Sequence, residues 1–449
     1  LIFSKKDITE TLKLGWPVSL GQLGHIMLGV VDSLMVGHVG ASSLAASSLV
    51  NGIFFLIIVL GIGMTMAVTP LISIAKGSGK ADKCRLILKN AIIVNLTLAV
   101  ILTICVYSFS FAIPFLGQPV EVVLLSQSYI KILSYSIIPF LVFQTFRQFI
   151  EGLSITKPTM YIAIVANIIN AFGNWLLIYG NWGFPAMGLD GAGYSTLITR
   201  GFIALAVILF VMNYKETKNL LPTRIFGKPE KKLVMKIINI GLPSGMMYMM
   251  EVGAFAFSAV MIGWLGSTQL AAHQIAISLA SISYMIILGI STAGTIRVGN
   301  AVGKKDSTGI KQAGFGALAL GAGFMTFSGL IFIFFSNELP AFYISNEEVI
   351  RTAANLLIVA AFFQISDGLQ AVGSGILRGL TDVKIPLYLT IISYWVIGIP
   401  VGYLLGFVFN LGVIGIWIGL LLGLTIAAIS FVFRFYKLSG LRTRDNATN

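Results

Sequence analysis

Residues 241–266 read GLPSGMMYMMEVGAFAFSAVMIGWLG. A bilayer crossing takes about 20 predominantly apolar residues, and this stretch is long enough. Yet Glu251 sits at its centre. A carboxylate at mid-membrane costs ~2.5–3.5 kcal/mol on insertion scales, so an acid there asks for a functional reason. Residues 15–40, GWPVSLGQLGHIMLGVVDSLMVGHVG, repeat the pattern with one acid, Asp32, inside the apolar run.

The twins align without a gap at an offset of 226 residues. Gly15 and Pro17 fall on Gly241 and Pro243. Met35, Gly37 and Gly40 fall on Met261, Gly263 and Gly266. Gly63, Thr69 and Gly77 fall on Gly289, Thr295 and Gly303. Farther on the offset is 227, matching Gly152, Leu153, Lys157 and Tyr161 with Gly379, Leu380, Lys384 and Tyr388. The chain is a tandem duplication.

Composition agrees with a membrane protein: 57% hydrophobic, 10% charged and a mean hydropathy of +0.92. Twelve hydrophobic helices are expected, at about 11–38, 44–72, 85–112, 123–149, 157–181, 190–213, 232–263, 271–297, 310–335, 350–377, 385–409 and 413–436. The longest connection, NYKETKNLLPTRIFGKPEKK, joins the sixth and seventh. It divides the chain into an N-terminal lobe (1–213), a linker (214–231) and a C-terminal lobe (232–449). The fold class is therefore an all-α membrane protein of two six-helix lobes. Six helices per half make the repeats parallel, with an expected cleft between the lobes. The start, LIFSKKDITE, is charged and amphipathic without a small-residue cleavage site, and the first helix is expected to serve as the targeting signal.

With both termini in the cytoplasm, the basic residues collect on that side: Lys5, Lys6, Lys76, Lys80, Lys83, Arg85, the linker with Arg224, Lys304, Lys305 and the tail with Arg442 and Arg444. Only Lys131, Arg200 and Arg351 fall elsewhere. This is the positive-inside bias, and it explains the net charge of +13 without nucleic acid. Cys84, expected in a basic loop, and Cys105, inside a helix, make no disulfide framework.

Of 17 acidic residues, all but three fall in loops, at helix ends or near the termini. Asp32, Glu251 and Asp367 remain at membrane depth. Glu251 and Asp367 lie on the first and fourth helices of the second half. Two carboxylates facing one cavity repel, and the pair relaxes by taking up protons or holding a small cation. In the fifth helix Asn170 and Asn174 share one face. With Thr196 of the sixth they can complete a cation or proton site around Asp32. Equally, they can serve as interhelical hydrogen-bonding glue. The MMYMM run with Met250 offers adaptable apolar side chains, and Gln274, Tyr284 and Phe363 are candidates to line a substrate cavity. Aromatic faces attract organic cations. His25 occupies the repeat position of Glu251. No H-E-x-x-H, P-loop or cysteine–histidine cluster is present, so an enzyme is not expected.

The two halves, the segment DSLMVGHVGASSLAA, its twin MIGWLGSTQLAAHQIA and the three acids together resemble the multidrug and toxic compound extrusion (MATE) family, NorM type. The resemblance covers essentially the whole chain. It implies a bacterial inner-membrane antiporter, a monomer, exporting amphipathic, often cationic organic compounds against Na⁺ or H⁺ by alternating access. It assigns Glu251 and Asp367 to a C-lobe Na⁺ site, Asp32, Asn170, Asn174 and Thr196 to an N-lobe cluster, and Tyr284 and Gln274 to the neighbourhood of drug or cation. Acids in both lobes resemble the NorM type rather than the DinF type of the family, and that resemblance in turn implies Na⁺ over H⁺. Phe363 stands where some relatives have tyrosine, and Ser345 and Asn346 where some have acids. The alternatives are a lipid-linked oligosaccharide flippase of the same superfamily and an exporter coupled to H⁺ alone. The flippase would want a strongly basic cavity, and only Arg200 is available at membrane depth.

Overall fold

The structure, a computed structural model, describes residues 3–222 and 227–447, with side chains through residue 440. Linker residue Arg224 and the side chains of Arg442 and Arg444 lie outside the described set. Among the described residues twelve helices are long and apolar enough to cross a membrane. We label them α1 (Lys5–Gly37), α2 (Ala41–Gly77), α3 (Ala81–Phe109), α4 (Val120–Gly152), α5 (Lys157–Leu177), α6 (Gly188–Asn213), α7 (Lys231–Gly263), α8 (Ser267–Lys304), α9 (Ser307–Phe334), α10 (Glu347–Gly379), α11 (Lys384–Val408) and α12 (Gly412–Gly440). The expected helix count holds. Three helices are interrupted: α2 between Thr65 and Val68, α4 at Ser136, and α11 by two π-helical stretches. Cys84 is buried inside α3 rather than in a loop, and both cysteines are free.

By contact the chain forms two compact units. The N unit holds residues 20–76 and 80–245. The C unit holds the chain up to Ser19, Gly77–Gly79 and everything from Met246. This division departs from the linear one, 1–213 and 232–449, at the first helix of each half. Residues 5–19 of α1 belong with the second half, and residues 231–245 of α7 with the first. The two segments are repeat partners at the offset of 226. The linker follows the N unit: Arg85 donates to the Asn219 carbonyl at 2.7 Å, and the Glu230 amide to Asn90 Oδ1 at 2.8 Å.

The exchange has a packing cause, legible in the aligned glycines. In the N unit a Cβ on Gly63 would lie 2.1 Å from the Gly245 Cα. In the C unit a Cβ on Gly289, the partner of Gly63, would lie 2.6 Å from the Gly15 carbonyl oxygen and 2.7 Å from the Ser19 amide nitrogen. Only a hydrogen at these positions lets the two backbones touch. A second contact is also made twice. Thr69 Oγ1 donates to the Gln148 carbonyl at 2.9 Å, and Thr295 Oγ1 to the Gly375 carbonyl at 2.8 Å. Gly152 and Gly379 pack beside these threonine carbonyls, at 3.0 and 2.9 Å from an added Cβ. Arg297 then ties the start of α1 to α8, reaching Asp7 Oδ1 at 2.6 Å and Glu10 Oε2 at 3.0 Å. This pairing holds α1 helical from Lys5, ahead of the expected start at residue 11.

Gly63→Val is expected to lower stability by 1–3 kcal/mol or more, because backbone cannot move aside as a side chain can. Gly323→Ala meets nothing within 4 Å and serves as the control. Thermal unfolding of the two purified variants, followed by size exclusion, checks this.

Candidate functional site

Each unit carries its own buried polar cluster. The N unit encloses a cavity of about 320 Å³ lined by Asp32, Asn170, Thr196, Arg200, Tyr129 and His25, among others. Asp32 is 9% exposed. Its Oδ1 accepts from Asn174 Nδ2 at 2.6 Å, and its Oδ2 from Thr196 Oγ1 at 3.2 Å. Asn170 and Asn174, one turn apart on α5, contact each other at 3.5 Å. The helical spacing of these asparagines thus does bring both to one acid. Asn174 Oδ1 is buried without a hydrogen-bond partner, which leaves an oxygen lone pair beside the carboxylate.

The C unit assembles Glu251 from α7 and Asp367 from α10, both buried. Glu251 accepts from Tyr284 at 3.2 Å and from Gln370 Nε2 at 3.2 Å. Asp367 is near enough to feel the charge of Glu251. Among the described residues its carboxylate accepts no hydrogen bond. Nearby, Tyr394 Oη and Gln370 Oε1 are buried without partners. Two carboxylates, an amide oxygen and a phenol oxygen make an all-oxygen set, the donor chemistry that hard cations prefer. Arg378, about three turns farther along α10 than Asp367, is near enough for its charge to act on Glu251.

The remaining sequence candidates divide. Tyr284 joins Glu251 directly. Met250 sits beside it, its carbonyl accepting from Trp395 Nε1 at 3.0 Å. Phe363 is 2% exposed and packs between Phe255 and Trp417, so it belongs to the apolar core rather than to a cavity wall. Gln274 is exposed on α8, and the structure does not bring its side chain to Glu251. His25 lines the N cavity against Phe140 and Phe143, and its Nε2 has no partner.

Sequence reading passed over Gln370, Tyr394, Tyr129 and Asn51. Gln370 could have been found one turn from Asp367 on the same face of α10. The repeat also shows why the clusters differ. Asp32 corresponds to Ser258, Glu251 to His25 and Asp367 to Phe140, so the two units place their acids at non-equivalent positions.

Comparison with known proteins places these clusters in context. The MatE family model matches residues 17–176 and 243–404, one match in each half. The probable multidrug resistance protein NorM of Rhizobium meliloti is 34% identical over 433 residues, covering 95% of this chain and 93% of that protein. The multidrug resistance protein NorM of Aliivibrio fischeri is 32% identical over 444 residues, covering 98% and 96%. Among solved structures, the eukaryotic MATE transporter AtDTX14 superposes with a TM-score of 0.87 at 18% identity, covering 98% of this chain and 99% of that one. A MOP superfamily transporter from Pyrococcus furiosus gives 0.89 at 20%, covering 97% of each chain. The structures speak to the fold, whereas the family model and the sequence relatives decide the family. With two family matches set on its two repeats and NorM proteins aligned along nearly its whole length, the chain belongs to the MatE family as a NorM-type membrane efflux transporter, not an enzyme.

Proposed function

We propose that this protein is a secondary antiporter of a bacterial inner membrane, exporting amphipathic organic cations in exchange for Na⁺, with its termini in the cytoplasm. The observation that carries the reading is the pair Glu251 and Asp367. Two buried carboxylates, only one of them hydrogen-bonded, sit beside unpartnered oxygens of Gln370 and Tyr394. A desolvated acid pair of this kind is costly unless a cation or protons compensate it. Na⁺, a hard cation, suits the all-oxygen set. Asp32 with Asn174 and Thr196 forms a second cation-accepting group in the N unit. Binding can drive alternating access only if an ion and a substrate favour different states. The acids supply that difference, because their charge must be answered by one cation or another. Multidrug export fits the names of the relatives. A flippase for lipid-linked sugars fits less well, since each arginine near a cluster is matched by an acid: Arg200 by Asp32 in the N cavity and Arg378, expected only at a helix end, by Glu251 in the C unit.

The test is efflux of ethidium from proteoliposomes under a Na⁺ gradient or a proton gradient imposed separately. Na⁺ is expected to drive export, and Asp32→Asn to slow it about tenfold through loss of a charge-assisted contact. Export driven by protons alone would move the coupling to H⁺. Export under neither gradient would favour the flippase.

A further inference from the structure

Arg200 is an anomaly in the N cavity. It projects from α6 one turn beyond Thr196, the residue that holds Asp32. Its guanidinium lies between two aromatic faces, 4.9 Å from the Phe54 centroid and 5.0 Å from that of Phe140. Nη1 donates to Ser136 Oγ at 2.7 Å, and the Ser136 hydroxyl in turn donates to the Leu133 carbonyl at 2.6 Å. Phe54, Phe140 and Ser136 come from α2 and the broken helix α4, so three helices build one dock. Arg200 makes no ion pair among the described residues. Desolvated cation–π contacts are worth about 2 kcal/mol or more, enough to hold an arginine away from an acid in the same cavity. The titratable groups lining that cavity are His25, Asp32, Tyr129 and Arg200.

We propose that Arg200 is a charge-selectivity residue: a resident cation, clamped by Phe54, Phe140 and Ser136, that sets how many positive charges the N cavity accepts. The proposal rests on the reading of Asp32 as a cation-accepting group. With Asp32 ionised and Arg200 charged, the cavity is close to neutral. A monocation is held by its apolar body and its nearness to Asp32. A dication doubles the attraction of Asp32 and the repulsion of Arg200 alike, so the resident charge cancels what a second positive charge would gain. The cavity is on the order of 8 Å across for its volume. At that span and an effective dielectric of about 20, one unit charge alters the binding of another by about tenfold or more. Coulomb energy is linear in ligand charge, so the effect squares for a dication.

The experiment compares ethidium with propidium, which share a ring system and carry one and two positive charges, on the full-length protein in nanodiscs. Wild type is expected to bind the two dyes with similar affinity. Arg200→Gln is expected to tighten ethidium about tenfold and propidium about a hundredfold, so that the variant prefers propidium about tenfold. Arg200→Met, which keeps a packing side chain between the two rings, should behave as Arg200→Gln does and covers the case in which the amide variant does not fold. Arg200→Lys keeps the charge and should keep the wild-type ratio. A structural role alone would move both ligands together. Equal shifts for the two dyes, or an unchanged ratio in folded neutral variants, overturn the proposal. So does a wild type that already prefers propidium about tenfold. Asp32→Asn separates the two ideas. If it weakens both dyes while Arg200→Gln leaves their ratio alone, the selectivity proposal fails and the reading of Asp32 stands. If Asp32→Asn leaves both dyes unaffected, the reading of Asp32 fails and the proposal falls with it.

Discussion

Glu251→Gln is expected to reduce Na⁺-driven export of an organic cation by about tenfold to a hundredfold while leaving the fold intact. Glutamine has nearly the shape of glutamate, and its carbonyl oxygen can still accept from Tyr284 or Gln370, the two donors that hold Glu251 at 3.2 Å. The change therefore removes a charge without opening a cavity. What it removes is half the charge of the C-unit pair. Asp367 would face a cation alone, with no hydrogen bond fixing it. Hydrogen bonds and contacts to charged groups are worth about 1.5–3 kcal/mol, and the expected loss follows from that. Glu251→Asp keeps the charge but shortens the reach, and should fall between. The measurement is the initial rate of ethidium efflux under an imposed Na⁺ gradient, with thermal unfolding as the control on folding. Full Na⁺-driven export in a folded Glu251→Gln protein would remove the coupling role from this pair and leave Asp32 as the acid that carries it.

Much of this was legible in the chain. Successive apolar runs gave twelve helices, because a bilayer leaves backbone few other ways to satisfy its hydrogen bonds. The offset of 226 gave the duplication. The spacing of Asn170 and Asn174 gave a shared face, and the structure puts Asn174 at 2.6 Å from Asp32. What sequence reading could not supply depends on contacts between distant residues. Gly63 and Gly245 advertised close packing but not each other, so the exchange of residues 5–19 and 231–245 stayed hidden. Phe363 is apolar and of the right size for either a cavity wall or a core, and only its packing on Phe255 and Trp417 decides. Among the acids that fall outside the membrane in the sequence, Asp7 and Glu10 lie near the start and Glu151 beside a cytoplasmic basic cluster, with no partner legible for any of them. The structure gives Glu151 the neighbouring Arg147, and gives Asp7 and Glu10 one shared arginine, Arg297, 290 and 287 residues away.

The Glu151 case carries the second large effect, and the repeat sharpens it. Arg147 and Glu151 stand one turn apart on α4, 5% and 1% exposed, with Nε to Oε1 at 2.7 Å. Arg147 Nη1 also reaches Gln22 Oε1 of α1 at 3.1 Å. Taking one partner from a buried ion pair leaves the other charge without compensation, at a cost of about 3–5 kcal/mol. Arg147→Met is therefore expected to destabilise the protein by that amount. Arg147→Met/Glu151→Leu removes both charges, fills similar volume and should recover most of the loss, since apolar replacement of a buried pair is often neutral or stabilising. The repeat partners of these residues are Ser374 and Arg378. The second half thus has no carboxylate at this position, and the ion pair is an addition of the first half rather than a demand of the shared architecture. That is why the double substitution should be tolerated. Thermal unfolding of the single and double variants in the same detergent decides the matter: a double variant as unstable as Arg147→Met would mean that the arginine is held for its contact with Gln22 and its packing, not for the charge of Glu151.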